Sequence, residues 1–386
     1  MKDKGAYMFV SIIFDTEYMG MGERIKWFLK NLSKAKENEI FIITHEYLDK
    51  NHRELFKNCG ERFYEEFEMR KISEEEYNLI SKAFVPDRIF ENIEKKLITR
   101  TNTLMYLSKQ RYYELEACLI SLINEELKRR KETKVEAIFN CCECWESIRF
   151  LKKQYGCPVI PYVFSAIRKV HGYQQTLYSV NENGTLYSDA ESKRRFEEYK
   201  KIKNICVYSY KELLVLFGKI CNIPLIKYLD NIPIYEAGIC SEAFRINPNA
   251  FIELPITDDD LYYECNKHFP KEKIISRIHP LHYTQMGASR ENVKNDPASF
   301  MLSCKRIIGS QSQILLKAML WKRAVCMKGN TLDFSFLCSK DFTYEKPVDI
   351  EGLNFFIFSY LIPDKLMFDV NYWRWRLTNP KEEEIY

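Results

Sequence analysis

Short apolar runs separated by amphipathic stretches set the rhythm of the first 200 residues. Met8 to Phe14 is an apolar run that stops at Asp15 and Thr16. After Gly20 and Gly22, residues Trp27, Phe28 and Leu32 fall on one face of a 3.6-residue period. Glu39 to Thr44 repeats the strand signal, so the chain opens in β-α-β fashion, which requires a parallel sheet. From Ile72 to Arg130 the pattern is charged and helical, and no strand is predicted there. The strand signal returns at Val135 to Asn140. A helix over Trp145 to Tyr155 and a strand over Val159 to Phe164, introduced by Gly156 and Pro158, complete a second unit of this kind. Alternation from Tyr173 to Tyr187 around Asn183-Gly184 predicts a hairpin, and Asp189 to Lys201 a charged helix.

The second half repeats the scheme with more punctuation. Ile205 to Ser209 reads as a strand and Lys211 to Ile220 as a helix. Pro224, Pro233 and Gly238 mark loops, and strands are expected at Ile274 to Ile278 and Arg306 to Gly309. The predicted fold is α/β: two Rossmann-like domains with a deep cleft between them and C-terminal helices, over residues 1–203, 204–352 and 353–386. Ligands of open parallel sheets sit outside the carboxyl ends of the strands, so Asp15, His279 and Ser310 fall where a site belongs.

Composition narrows the function. The chain has 386 residues, with 46% hydrophobic and 29% charged positions, enough for two cores. Its net charge of +4 is too balanced for a nucleic-acid binder, and its basic clusters are short. Thirteen cysteines in no repeated framework, behind an N-terminus without a secretory apolar region, point to a reducing, cytoplasmic setting. Cys141, Cys142 and Cys144 lack a second ligand pair at zinc spacing, so buried thiols are expected there and no metal. The apolar run Leu353 to Ile362 is shorter than the roughly 20 residues of a spanning helix. With Tyr372, Trp373, Arg374, Trp375 and Arg376 behind it, the run suits either a peripheral contact at the inner face of a membrane or a helix pair packed on the body of the protein.

The strongest constellation is Ile307-Ile308-Gly309-Ser310-Gln311-Ser312-Gln313, running into an apolar helix and then Lys322-Arg323-Ala324-Val325. A strand ends, glycine permits a turn, and two hydroxyls precede a helix whose amino end favours an anion; Ser310 alone reads equally well as a helix cap. Arg277-Ile278-His279-Pro280 closes the strand before it, giving two groups able to pair with phosphate or a sugar carboxylate.

Strand-His-Pro followed by strand-Ser-x-Ser-helix-basic-Val resembles the donor half of GT-B glycosyltransferases that use CMP-activated acidic sugars. These include bacterial sialyltransferases and retaining β-Kdo transferases of capsule and O-antigen assembly. The resemblance covers about the last 180 residues, and the ending Tyr372 to Pro380 resembles those of capsule-type transferases. It implies a CMP-sugar donor held by Arg277, His279, Ser310, Gln311 and Ser312, with the sugar passing to a surface glycan or glycolipid, without cofactor or essential metal. The acceptor side then falls to the first domain, to Asp15, to the loop from Cys141 to Glu146, and to Arg168, Lys169 and His171. Some β-Kdo-type enzymes carry a carboxylate on the loop after the strand Val159 to Phe164, at the positions that follow Val163 here. This chain has Phe164 and Ser165 there, leaving His171, Glu146 or Asp15 for the acid/base role. A retaining double displacement also needs a carboxylate nucleophile. Glu236, on an expected glycine-containing loop, is the first choice, with Asp230 and Glu242 as rivals. A UDP- or GDP-sugar donor, and a non-catalytic nucleotide- or sugar-binding member of an assembly complex, stand as alternatives.

Overall fold

The computed structural model describes residues 7–14, 21–35, 39–97, 100–141, 145–181, 188–217, 232–240, 258–277, 297–329 and 332–385. Eleven strands are described: β1 (Tyr7–Ile13), β2 (Ile40–His45), β3 (Lys82–Val85), β4 (Lys134–Cys141), β5 (Val159–Phe164), β6 (Leu177–Val180), β7 (Tyr235–Cys240), β8 (Ile274–Arg277), β9 (Cys304–Gly309), β10 (Ala324–Met327) and β11 (Ile362–Pro363). They form a seven-stranded sheet, β11-β6-β5-β4-β1-β2-β3, and a four-stranded sheet, β10-β9-β7-β8. Residues 1–163, 180–186 and 365–378 make one compact unit; 164–179, 187–364 and 379–386 make the other. These bounds differ from the three segments read from the sequence, because residues 166–177 and 353–361 join the core of the second unit.

In unit 1, β1 pairs in parallel with β2 and β4, β2 with β3, and β4 with β5. Chain order therefore reverses beside β1, as in doubly wound folds. Apolar side chains fill both faces: Val10, Ile12, Ile43, Ile138 and Val159 are buried on one, and Phe9, Ile42, Phe139 and Ile160 on the other, the pattern of a covered parallel sheet. Several of its buried polar groups are paired. Ser11 Oγ donates to Asn31 Oδ1 (2.7 Å), and Asn31 Nδ2 donates to the Trp27 carbonyl and the Tyr162 hydroxyl (2.9 Å each). The ammonium of buried Lys30 donates to the Phe67 carbonyl at 2.6 Å. Trp373 packs 4.9 Å from Phe139 on β4, and Arg374 stands over the Phe9 ring.

In unit 2 all four strands of the second sheet are parallel. Phe300 and Cys304 crowd Gly238 so closely that an added Cβ meets Cys304 Sγ at 2.6 Å. The apolar run Leu353 to Ile362 is core: a helix over Ile350–Phe355, capped by the Asp349 side chain, continues as a π-helical turn over Phe356–Tyr360. Burial takes these side chains away from any membrane surface, and with Trp373 also buried, Trp375 is the exposed tryptophan of the ending. Among the described residues no helix is long and apolar enough to cross a membrane.

Three expectations need correction. The short, half-buried β3 lies inside the stretch read as wholly helical. Ile205 to Ser209 is not a strand; the Asn354 side chain, rather than a neighbouring strand, bonds the Tyr208 N–H and carbonyl (2.8 and 2.9 Å). Glu236 lies on strand β7, not on a loop. The Asn183-Gly184 turn falls outside the described residues.

Candidate functional site

Strand order in the second sheet is β8-β7-β9-β10, so the chain winds first one way from β7 and then the other through β9. The reversal lies between β7 and β9, and the crevice outside their carboxyl ends is where such sheets hold ligands. Cys240 pairs in register with Arg277, Ile239 with Ile308, and Met327 with Gly309. Cys240, Arg277, Gly309 and Met327 therefore share the carboxyl edge, and Ser310 follows directly upon the central strand. Adjacent strands lie about 4.8 Å apart, which puts Arg277, two strands from β9, on the order of 10 Å from Gly309.

Sequence dictates this edge. Ile307 and Ile308 are fully buried, and at Gly309 an added Cβ stands 3.3 Å from Leu315 Cδ1, so the turn into the next helix packs tightly on the strand end. The Lys328 N–H donates to the Gly309 carbonyl (3.0 Å). The helix begins at Ile314 and is preceded by Gln313, which makes no side-chain cap bond; Ser310 therefore does not cap it. Ser310 is wholly buried and Gln311 nearly so, whereas Ser312 is half-buried and thus the hydroxyl of the pair nearest to solvent. Arg277 is half-buried, and its Nε has no hydrogen-bond partner among the described residues. Arg323 of the basic pair turns inward, donating to the Met301 (3.2 Å) and Leu302 (3.4 Å) carbonyls; it holds a helix end rather than a ligand.

Glu236 sits at the opposite edge. It is second in β7, beside the first residues of β9, and pairs with Lys305 at 2.7 Å. The neighbouring Arg306 guanidinium, almost fully buried, donates to the Glu236, Phe342 and Thr343 carbonyls and pairs with Glu345 (2.6 Å). This amino edge is a structural clamp, and Glu236 is not brought together with Arg277 or Ser312.

Glu146 opens the helix Glu146–Tyr155 after β4, which puts it on the carboxyl side of the first sheet; it pairs with Arg149 at 2.6 Å. Arg168 stands 5.7 Å from the Phe164 ring, and Lys169 is exposed, its N–H donating to Thr176 Oγ1 (3.1 Å). His171 ends a single 3-10 turn that Gly172 closes at φ +85. Asp15, His279, Asp230 and Glu242 lie outside the described residues.

Two titratable groups escaped the sequence reading. His45 ends β2, and burial pushes its imidazole down to about 4; the rule that marked Asp15 and Ser310, a polar residue closing a strand, could have found it. Asp333, after β10, is buried, which raises its carboxyl to about 7 although Ser179 donates to it. No periodicity or motif marks Asp333.

No protein-family model matches the chain, and no curated protein matches it. Among solved structures it is similar to Thermosulfurimonas dismutans KpsC, a beta Kdo 2,7 transferase, with 11% identity over 66% of this chain and 88% of that one and a TM-score of 0.43. Methanocaldococcus jannaschii UDP-GlcNAc 2-epimerase aligns at 12% identity over 84% and 85% of the two chains (TM-score 0.30), and the spinosyn rhamnosyltransferase SpnG at 10% over 86% and 83% (0.31). Likenesses this distant leave the question of activity to the chain's own residues.

Proposed function

We propose that this chain is a metal-independent glycosyltransferase of the GT-B type that moves a sugar from a nucleotide donor, a CMP-linked acidic sugar, to a glycan or glycolipid. The observation that carries the reading is the edge of the second sheet. A doubly wound parallel sheet presents at its switch point a Gly-Ser-Gln-Ser turn, with an arginine two strands away. Hydroxyls and a guanidinium at such an edge suit phosphate and carboxylate oxygens, since charge-assisted hydrogen bonds are the strong ones. In this reading Arg277, His279 and Ser312 contact the donor, and buried Ser310 and Gln311 shape the turn that presents Ser312. The catalytic group is sought among Asp15, His171 and Glu146; Glu236, at the other edge, leaves that set.

Thermal stability of the full chain with millimolar CMP, CDP, UDP, GDP or ADP tests the reading, because a ligand that binds only the folded state raises the midpoint by mass action. A selective rise with CMP is expected. A selective rise with UDP or GDP overturns the donor and keeps the enzyme class; no rise with any nucleotide removes the reading. Turnover of the donor that depends on an added acceptor separates transfer from epimerisation.

A further inference from the structure

Four rings gather at the carboxyl edge of the first sheet. Phe14, just past β1, stacks on Trp145 with centroids 5.7 Å apart and planes at 12°. The His45 imidazole, at the end of β2, lies 5.2 Å from Phe14 and 4.2 Å from Phe90. Phe90 is 6.2 Å from Trp145. His45 and Trp145 are 7% and 3% exposed, yet His45 Nε2 and Trp145 Nε1 have no hydrogen-bond partner among the described residues. A buried polar nitrogen surrounded by carbon forfeits the bond it makes in water, so such groups are rare and call for a reason.

Their position supplies one. Strand order reverses beside β1, so the edge shared by β1, β2 and β4 is the switch point of this sheet, the counterpart of the Ser310 edge in the other. The chemistry differs. The indole does not ionise and burial keeps the imidazole neutral. Of the charged groups on the adjoining elements, Lys50 pairs with Glu46 at 3.0 Å and with Asp87 at 3.8 Å, Glu146 pairs with Arg149 at 2.6 Å, and Arg88 is exposed. The four side chains themselves thus offer one N–H donor, one imidazole nitrogen that donates or accepts, and ring faces, with no cation among them. Aromatic faces and a few placed polar groups suit a pyranose, whose C–H face is apolar and whose rim is hydroxyl. Phe90 is the partly exposed ring of the four, and it is the one that must turn aside to admit such a ligand.

We propose that unit 1 binds a neutral sugar residue at this edge, its hydroxyls bonded to His45 Nε2 and Trp145 Nε1 and its ring against the aromatic side chains. That this sugar is the acceptor of the transfer rests on the function proposed above; the site itself does not.

The test is nuclear magnetic resonance of the full chain carrying 15N-histidine, titrated with the methyl glycosides of glucose, galactose and N-acetylglucosamine and, for contrast, with glucuronate. The His45 signals are identified by their loss in His45→Gln. One of the neutral glycosides is expected to shift them, to bind about fivefold more weakly to Trp145→Phe, which keeps the ring and removes one neutral hydrogen bond, and to lose at least as much in His45→Ala. Should His45→Ala fail to fold, Trp145→Phe decides. The proposal falls if no neutral glycoside moves the His45 signals, if the variants bind like the parent chain, or if glucuronate binds more tightly than all three. A thermal response to CMP without a glycoside response overturns this inference and leaves the transferase reading standing. A glycoside response without any nucleotide response upholds the site and removes the transfer.

Discussion

The two sheets wind alike and end differently. In each, strand order reverses beside the first strand, so the same topological crevice appears twice. At the carboxyl edge of the first sheet stand Phe14, His45 and Trp145, aromatic and uncharged; at that of the second stand Arg277, Ser310, Gln311 and Ser312. Shared topology fixes where a ligand goes, and the few side chains beyond the strand ends fix which ligand. The opposite, amino edge of the second sheet carries the fully paired Arg306, Lys305 and Glu236. It shows what an edge looks like when its charges serve the fold.

The contrast between the edges breaks first at Arg306. Replacing it by alanine strips hydrogen bonds from three carbonyls and leaves Glu345 without its 2.6 Å partner. Urea unfolding should register a loss of about 3–5 kcal/mol, at roughly 1–3 kcal/mol for each carbonyl left without its donor. A loss under 1 kcal/mol denies the clamp.

Next in size, the two units should respond to pH in opposite senses. His45 is held near 4 in the fold against 6.5 unfolded, so its contribution is fully present above 6.5 and is lost as pH falls towards 4, by about 3 kcal/mol. Asp333 is held near 7 against 3.8, so its contribution is fully present below 3.8 and is lost as pH rises through 7, on the order of 4 kcal/mol. In urea unfolding across pH 4 to 8, His45→Gln should abolish most of the acid loss and Asp333→Asn most of the alkaline one. Curves that stay parallel to the parent chain's in both variants contradict the assignment.

Ser312→Ala should weaken nucleotide binding by about 1 kcal/mol, roughly fivefold, with the melting midpoint of the nucleotide-free chain unchanged. Titration calorimetry reads this directly, and a drop in midpoint without loss of affinity makes Ser312 structural. Smallest of all is Glu236→Gln: a partly exposed ion pair contributes at most about 1 kcal/mol. Transfer should proceed at the parental rate, and its abolition would return Glu236 to the catalytic set.

Elements with strong periodicity were legible before the structure. The strands at Met8, Val135, Val159 and Arg306 are continuous apolar runs because both faces of a parallel sheet are covered, and the structure places each within a residue or two. The failures have a common cause, since they occur where tertiary partners rather than local pattern decide. β7 (Tyr-Glu-Ala-Gly-Ile-Cys) reads as a loop because of Gly238, yet that glycine is what lets Phe300 and Cys304 lie against the strand. Ile205 to Ser209 reads as a strand, but the Asn354 side chain takes both backbone bonds of Tyr208 within it and the Glu212 carboxylate takes the Ser209 N–H. Among site residues, those closing a strand were findable. Asp333 was not, because burial alone perturbs it and nothing local announces burial.

Unit 1 is not one stretch of chain: its last piece, residues 365–378, follows its main body by about 200 residues (365 − 163 = 202). At ribosomal speeds of about 5–20 residues per second, that is a wait of roughly 10–40 s. Throughout it, Phe139 and Phe9 on β4 and β1 lack the cover that Trp373 and Arg374 will bring to them. The nascent protein thus carries an aromatic surface through most of its own synthesis, and chaperone supply should govern its yield more than the stability of the finished fold does.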